Sequence, residues 1–350
     1  MRQFQCDYIA GCHPDLLSAL VRTNAEEVPG YGLDPFCNRA RDLIRQAAGT
    51  PGAGIYFFTG GTLTNRTLIS AALRPGQTAL AASTGHIAAH ETGAIEATGF
   101  KVTELPSVDG KIRAEDLLAA CTAYETSCEQ FLLARPALLY LSYPTETGSL
   151  YSGEELRAIS RICREHGLLL YIDGARLAYG LAASDDLTLA DIASLCDALM
   201  IGGTKCGALD AEALLITNEK LKEGFLSQQH LRGALISKGR LAGVQFAELF
   251  RDGTGAFYRS LGVRAVQDAQ RLRAAFIEAG ITPDGSSPTN QQFVRISARK
   301  LEFLDRNFRC EPCGLASDGR QLVRYCTAWS TKPEAVEELL AAIAQTKDLP

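Results

Sequence analysis

The chain has 350 residues, 46% of them apolar and 21% charged, with a formal net charge of -5. That length supports one large core and a smaller one, and the acidic balance excludes the basic footprint of a nucleic-acid binder or of a protein drawn to anionic lipid. Eleven cysteines and five histidines (His13, His86, His90, His166, His230), with no second close pair to match Cys310 and Cys313, read as free thiols in a reducing cytoplasm and exclude a zinc cage.

No apolar stretch reaches the length of a membrane span, and charges come too early at the N-terminus for a signal peptide. Strands are expected at 54–60, 78–83, 137–143, 168–174, 198–203 and 211–217. Several are continuously apolar, as strands buried on both faces of a mostly parallel sheet must be. Amphipathic stretches separate them. In one, Ser152 and Glu155 form a capping box and Gly167 ends the helix. Past about residue 240 the pattern becomes two long helices, then strand-like pieces at 291–297 and 322–329, then a closing helix from Lys332. The expectation is an α/β protein with a large domain over 1–244, including the N-terminal segment, and a smaller C-terminal α/β domain over 245–350.

Ligands of an open α/β sheet sit beyond the carboxyl ends of its strands, so the residues just past each strand carry the functional reading. They are Gly61 and Thr62 at a helix start, His86 and His90, Glu146, Asp173 with Arg176, and Lys205 after a Gly-Gly pair. Alone, each has an ordinary explanation as a cap, a loop residue or a solvated charge. Together they fit pyridoxal phosphate. Its aldehyde needs a lysine that can lose its proton, supplied by Lys205, and its pyridine nitrogen needs a carboxylate, supplied by Asp173. Its phosphate suits the helix start at Gly61-Thr62, and its ring needs a flat partner such as His86. A nicotinamide site is not expected, because no Gly-x-Gly-x-x-Gly follows the first strand.

The stretches "VPGYGLDPFCNRARDLI" (28–44), "GGTLTN" (60–65), "GHIAAHETGAIEATG" (85–99), "YIDGARLAYG" (171–180), "GGTKCGA" (202–208) and "LVRYCTAW" (322–329) carry a resemblance. They are similar to the threonine aldolase/β-eliminating lyase family of pyridoxal-phosphate enzymes, which has the aspartate-aminotransferase-like fold. The resemblance implies cleavage of a β-hydroxy-α-amino acid to glycine and an aldehyde. It also implies that Asp173 meets the pyridine nitrogen and that His86 stacks on the ring. Arg176 would lie by the cofactor's phenolic oxygen and the substrate carboxylate, and Arg324 would bind that carboxylate. Thr204, beside the lysine, joins the cofactor set. Three positions depart from the family. Glu146 stands where a histidine is usual, Cys6 replaces a carboxylate-binding serine, and Ser237 replaces an arginine, leaving Lys238 or Arg240 to take its role. Candidate bases at the β-hydroxyl are Glu146, His90 or a water between them. The same resemblance implies a homodimer or homotetramer with Tyr31 lent across the interface. The alternatives are β-elimination on the same scaffold, or a binding protein that has lost catalysis.

Overall fold

A computed structural model describes residues 1–349 of the chain. A two-residue strand, β1 (Arg2–Gln3), precedes a seven-stranded sheet built from β2 (Gly54–Phe58), β3 (Gln77–Ala82), β4 (Lys101–Leu105), β5 (Arg135–Ser142), β6 (Leu169–Gly174), β7 (Ala198–Gly202) and β8 (Glu212–Ile216). Their spatial order is β2-β8-β7-β6-β5-β3-β4. Only β8 is antiparallel to its neighbours; the pairs from β7 through β4 are parallel.

Alternation along the strands explains their apolar runs. Leu139, Leu141, Leu170, Ile172, Leu199 and Ile201 face one buried layer, while Leu138, Tyr140, Tyr171, Met200 and Leu214 face the other. Both faces are covered, so neither tolerates a polar residue without a partner. The six expected strands are present, with ends shifted by no more than two residues. β4 was not expected: it lies at the sheet edge, and its sequence KVTEL alternates too weakly to declare a strand.

Four further strands, β9 (Thr282–Pro283), β10 (Gln291–Ile296), β12 (Glu311–Leu315) and β13 (Gln321–Cys326), form an antiparallel sheet in the order β12-β13-β10-β9, while β11 (Phe308–Arg309) pairs with β1. Leu272, Phe276, Val294, Val323, Tyr325, Val336 and Leu339 fill a separate core behind them. The N-terminal strand, expected with the large domain, belongs to this smaller core instead: Phe4 is fully buried there, and its backbone bonds to Arg309 and Cys326. The helix Ala256–Glu278 joins both cores, giving Tyr258 and Ala265 to the larger and Leu272 and Phe276 to the smaller. Among the described residues no helix is long and apolar enough to cross a membrane.

Candidate active site

Chain order runs outward from β3 to β4 and then returns to β5 on the other side of β3, so a crevice opens where the direction of winding reverses. His86 follows β3 and Glu146 follows β5, and they meet across that crevice: the His86 backbone N–H donates to Glu146 Oε1 at 2.8 Å. Asp173 ends the next strand, β6, Arg176 follows it, and Lys205 follows β7.

Asp173 is buried at the end of β6, opposite Met200 of β7. Three donors surround its carboxylate: Tyr140 Oη at 2.7 Å, Asn65 Nδ2 at 3.0 Å and the Ala175 N–H at 2.9 Å. Asn65 is fixed in turn by Tyr171, whose hydroxyl donates to Asn65 Oδ1 at 2.6 Å, and by Glu91 Oε1 at 2.7 Å. Glu91 Oε1 also meets His86 Nδ1 at 2.8 Å. One polar chain thus runs from Asp173 through Asn65 and Glu91 to the His86 ring.

Close backbone approach brings Lys205 to this place. A Cβ on Gly202 would fall 2.3 Å from the Ala175 carbonyl oxygen, and one on Gly203 would fall 2.3 Å from that of Ala211. Only glycine allows the exits of β6 and β7 and the entry of β8 to crowd together in this way. The lysine turn is then pinned by Tyr179 Oη on the Lys205 carbonyl at 2.7 Å, Tyr258 Oη on the Gly202 carbonyl at 2.6 Å, and the Gly203 N–H on Glu212 Oε2 at 2.7 Å. Burial, reinforced by the nearby Arg176 guanidinium, lowers the proton affinity of the Lys205 amine. Burial likewise pushes Glu212 up to about 7, against its backbone hydrogen bond.

Arg176 is gripped by Asp7, with Nε to Oδ2 at 2.7 Å and Nη2 to Oδ1 at 3.1 Å, and Asn290 donates to the same carboxylate at 2.9 Å. Burial alone would raise Asp7, but Arg176 and Lys205 outweigh it and hold the carboxyl at about 2. Arg324 donates through Nη2 to the Gln5 carbonyl at 2.9 Å and through Nη1 to Gln291 Oε1 at 3.1 Å, while its buried Nε and Gln291 Nε2 have no partner. Two orphaned donors beside a guanidinium suit an incoming carboxylate. Cys6 is buried, two residues before Tyr8, whose ring lies 5.8 Å from Lys205 Nζ.

Glu146 is half-buried. Its Oε1 accepts from Ser142 Oγ at 2.5 Å as well as from His86, and burial raises its pKa despite those bonds. His90 is exposed with its ring 5.7 Å from that of His86; burial, then His86, Arg324 and Arg176, disfavour its charged form. The twelve-residue helix Gly61–Ala72 begins with no side-chain cap. Gly60 before it has φ 92°, and the place where its Cβ would stand is open. Uncapped amides behind an open glycine cradle form a ready anion site. These residues fit pyridoxal phosphate: a buried lysine amine of lowered proton affinity, a buried carboxylate, an imidazole and an uncapped helix start.

The chain matches the model of the beta-eliminating lyase family over residues 3–296. The chain belongs to that family. The low specificity L-threonine aldolase of a Pseudomonas species is 29% identical over 98% of this chain and 97% of its own length, and that of Pseudomonas aeruginosa is 28% identical over 97% and 96%. The solved threonine aldolase of Leishmania major superposes with a TM-score of 0.94 at 38% identity, covering 99% of this chain and all of its own.

Within this lyase-family protomer, several expected site residues stand apart from the cluster. Lys238 is exposed and unpaired in the turn before helix Arg240–Leu249. Arg240, its alternative, is bound to the Glu26 carbonyl at 2.5 Å and to that of Thr23. Tyr31 is 47% exposed at φ 58°, its ring against His230 and its N–H on the Ser237 carbonyl. The 30–32 and 237–239 segments therefore pack on each other at the surface. Thr204 Oγ1 accepts from the Ala211 N–H at 3.1 Å, a structural tie of the lysine turn. Asp7, Asn65, Glu91, Tyr140, Ser142 and Glu212 escaped the sequence reading. Asn65 and Glu91 lie inside stretches already singled out: Asn65 is four residues past Gly61, one helical turn along Gly61–Ala72, and Glu91 follows the short helix His86–Ala89.

Proposed function

We propose that the chain is a pyridoxal-phosphate-dependent aldolase that cleaves a β-hydroxy-α-amino acid of the L-threonine or L-allo-threonine type to glycine and an aldehyde. The observation that carries this reading is the meeting of Lys205, Asp173 and two arginines, Arg176 and Arg324, around one crevice. Similarity to threonine aldolases over essentially the whole chain supports it.

Lys205 Nζ, its proton affinity lowered by burial and by Arg176, would hold the cofactor's aldehyde carbon. Asp173 would keep a proton on the pyridine nitrogen, His86 would cover the ring face, and the amides of Gly61 and Thr62 would hold the phosphate. The bound cofactor supplies an electron sink for the pair released when Cα–Cβ breaks. Arg324 and Arg176 fix the substrate carboxylate, so that the β-carbon is the substituent presented for cleavage. Glu146 accepts the β-hydroxyl proton on Oε2, the oxygen its neighbours leave free, while His90 borders the same space. Lys205 Nζ would then be the group placed to return a proton to Cα before glycine leaves.

The exposed pairing of 30–32 with 237–239 supports a homodimer or homotetramer in which Tyr31 and Lys238 complete a neighbour's site. Eleven free thiols support a cytoplasmic setting.

The test is one purified sample given pyridoxal phosphate, then L-threonine, L-allo-threonine, L-phenylserine and an S-alkyl cysteine in turn. A visible absorbance band with glycine and aldehyde from the hydroxy amino acids is expected. Pyruvate from the thioether substrate alone would establish elimination instead, and no band at all would remove the cofactor from the account.

A further inference from the structure

A second hydrogen-bonded path leaves Asp173 and ends on Glu146. Tyr140 Oη donates to Asp173 Oδ2 at 2.7 Å, Ser142 Oγ lies 3.2 Å from Tyr140 Oη, and the same Ser142 Oγ lies 2.5 Å from Glu146 Oε1. Tyr140 and Ser142 are two apart on β5, which puts them on the same face and aims both at the crevice. Tyr140 is 1% exposed and Asp173 5% exposed, so bulk water does not take over their bonds.

Counting protons shows what the path can do. Tyr140 has one and gives it to Asp173. Ser142 also has one, but two acceptors lie within reach: Glu146 Oε1 and Tyr140 Oη. While Glu146 is a carboxylate it is the stronger acceptor, and the serine proton points there. Once Glu146 takes a proton on its free Oε2, Oε1 becomes a weak acceptor that retains the His86 N–H. The serine proton then turns to Tyr140 Oη. A tyrosine hydroxyl that accepts a bond donates a stronger one, so the Tyr140–Asp173 contact tightens and the Asp173 charge is held more firmly. No bond to carbon changes and no proton hops; one hydroxyl rotates.

We propose that Ser142 is a two-position rotor that signals the charge on Glu146 to Asp173 through Tyr140, tying the base at the substrate hydroxyl to the carboxylate beneath the cofactor nitrogen. The inference rests on the reading of Asp173 and Glu146 given above. Ser142 and Tyr140 act through those two groups and are positioning residues. Other groups facing Glu146 are the His86 and Arg176 side chains and Tyr151, whose hydroxyl is engaged by the Ile112 N–H at 2.8 Å. None of them offers a hydroxyl shared between the two carboxylates.

Two measurements on the full chain test the rotor. In the cofactor-free protein, carbon-13-labelled glutamate carboxyls are titrated by NMR, with Glu146 assigned from its absence in Glu146→Gln. Ser142→Ala removes a bond to the charged form and is expected to raise the Glu146 midpoint by about one pH unit, with Ser142→Thr restoring it. In the cofactor-loaded protein, the visible absorbance maximum is expected to shift at the Glu146 midpoint. That shift is lost in Ser142→Ala and Tyr140→Phe and kept in Ser142→Thr. An unmoved Glu146 midpoint in Ser142→Ala overturns the rotor, as does an absorbance shift that survives in both Ser142→Ala and Tyr140→Phe. Failure to bind the cofactor would strike the functional reading, while the NMR titration would still decide the rotor.

Discussion

Asp7→Asn isolates one charge in the most deeply buried ion pair of the site. The substitution keeps the side chain's shape and removes the charge that faces Arg176 Nε and Nη2. Both partners are enclosed: the Asp7 side chain is 0% and the Arg176 side chain 12% exposed. The drop of the Asp7 pKa from 3.8 to about 2 is equivalent to about 2.5 kcal/mol of folded-state preference for the ionised form. Stranding a buried guanidinium without its counter-charge costs about 3–5 kcal/mol in general, so a loss of about 3 kcal/mol is expected. Urea unfolding of both proteins across pH reads it out. A depressed carboxyl pKa stabilises fully above 3.8 and fades as pH falls through about 2. The gap between wild type and variant should therefore be full at neutral pH and shrink in acid. A freed Arg176 should also raise KM for the amino acid more than it lowers kcat. A neutral-pH difference below about 0.5 kcal/mol, the scale of an exposed pair, would refute the claim that Asp7 fixes Arg176.

Lys205→Ala is expected to abolish both the visible band and turnover; measurable turnover with a normal band would reject the assignment of the lysine. Glu146→Gln should lower kcat by about 10² while the bound-cofactor band persists, and unchanged kcat would remove it as the base. Glu212, pushed up to about 7, binds a proton in the folded state that the unfolded chain has released above about 4.5. Stability should fall as pH rises between those values, and Glu212→Gln should remove that part of the slope, as seen by thermal melting of the cofactor-free protein. Gly60→Ala places a Cβ at φ 92° and should cost about 1–2 kcal/mol, with weaker retention of the cofactor on dilution.

The sequence made the sheet legible because strands buried on both faces cannot hide: Leu138 through Leu141 and Leu199 through Ile201 have no polar side to alternate with. It made Asp173, Arg176, His86, Glu146 and Lys205 legible because each follows a strand, and strand ends in a parallel sheet converge. It did not reveal the supporting polar layer. Tyr140 sits within an apolar run, where a phenol reads as one more large core residue until its hydroxyl is seen to meet Asp173. Asp7 lies 169 residues from Arg176, a separation at which no local spacing rule applies. β1 escaped because two residues carry no periodicity, and its pairing partner lies at the far end of the chain. Tyr31 and Lys238 illustrate the opposite case: their segments do meet each other, but at the protomer surface and away from the cluster that one chain can assemble.

The opening segment has a further consequence. Phe4 is anchored in the smaller core, the Gln5 carbonyl holds Arg324, and Asp7 holds Arg176. The two peptide links from Gln5 to Asp7, about 7 Å at most, thus set the span between two guanidinium groups that stand beside different cores. The segment works as a caliper. Its jaws are measured in peptide units, so one residue inserted between Gln5 and Asp7 would leave both cores intact and yet misgauge the gap.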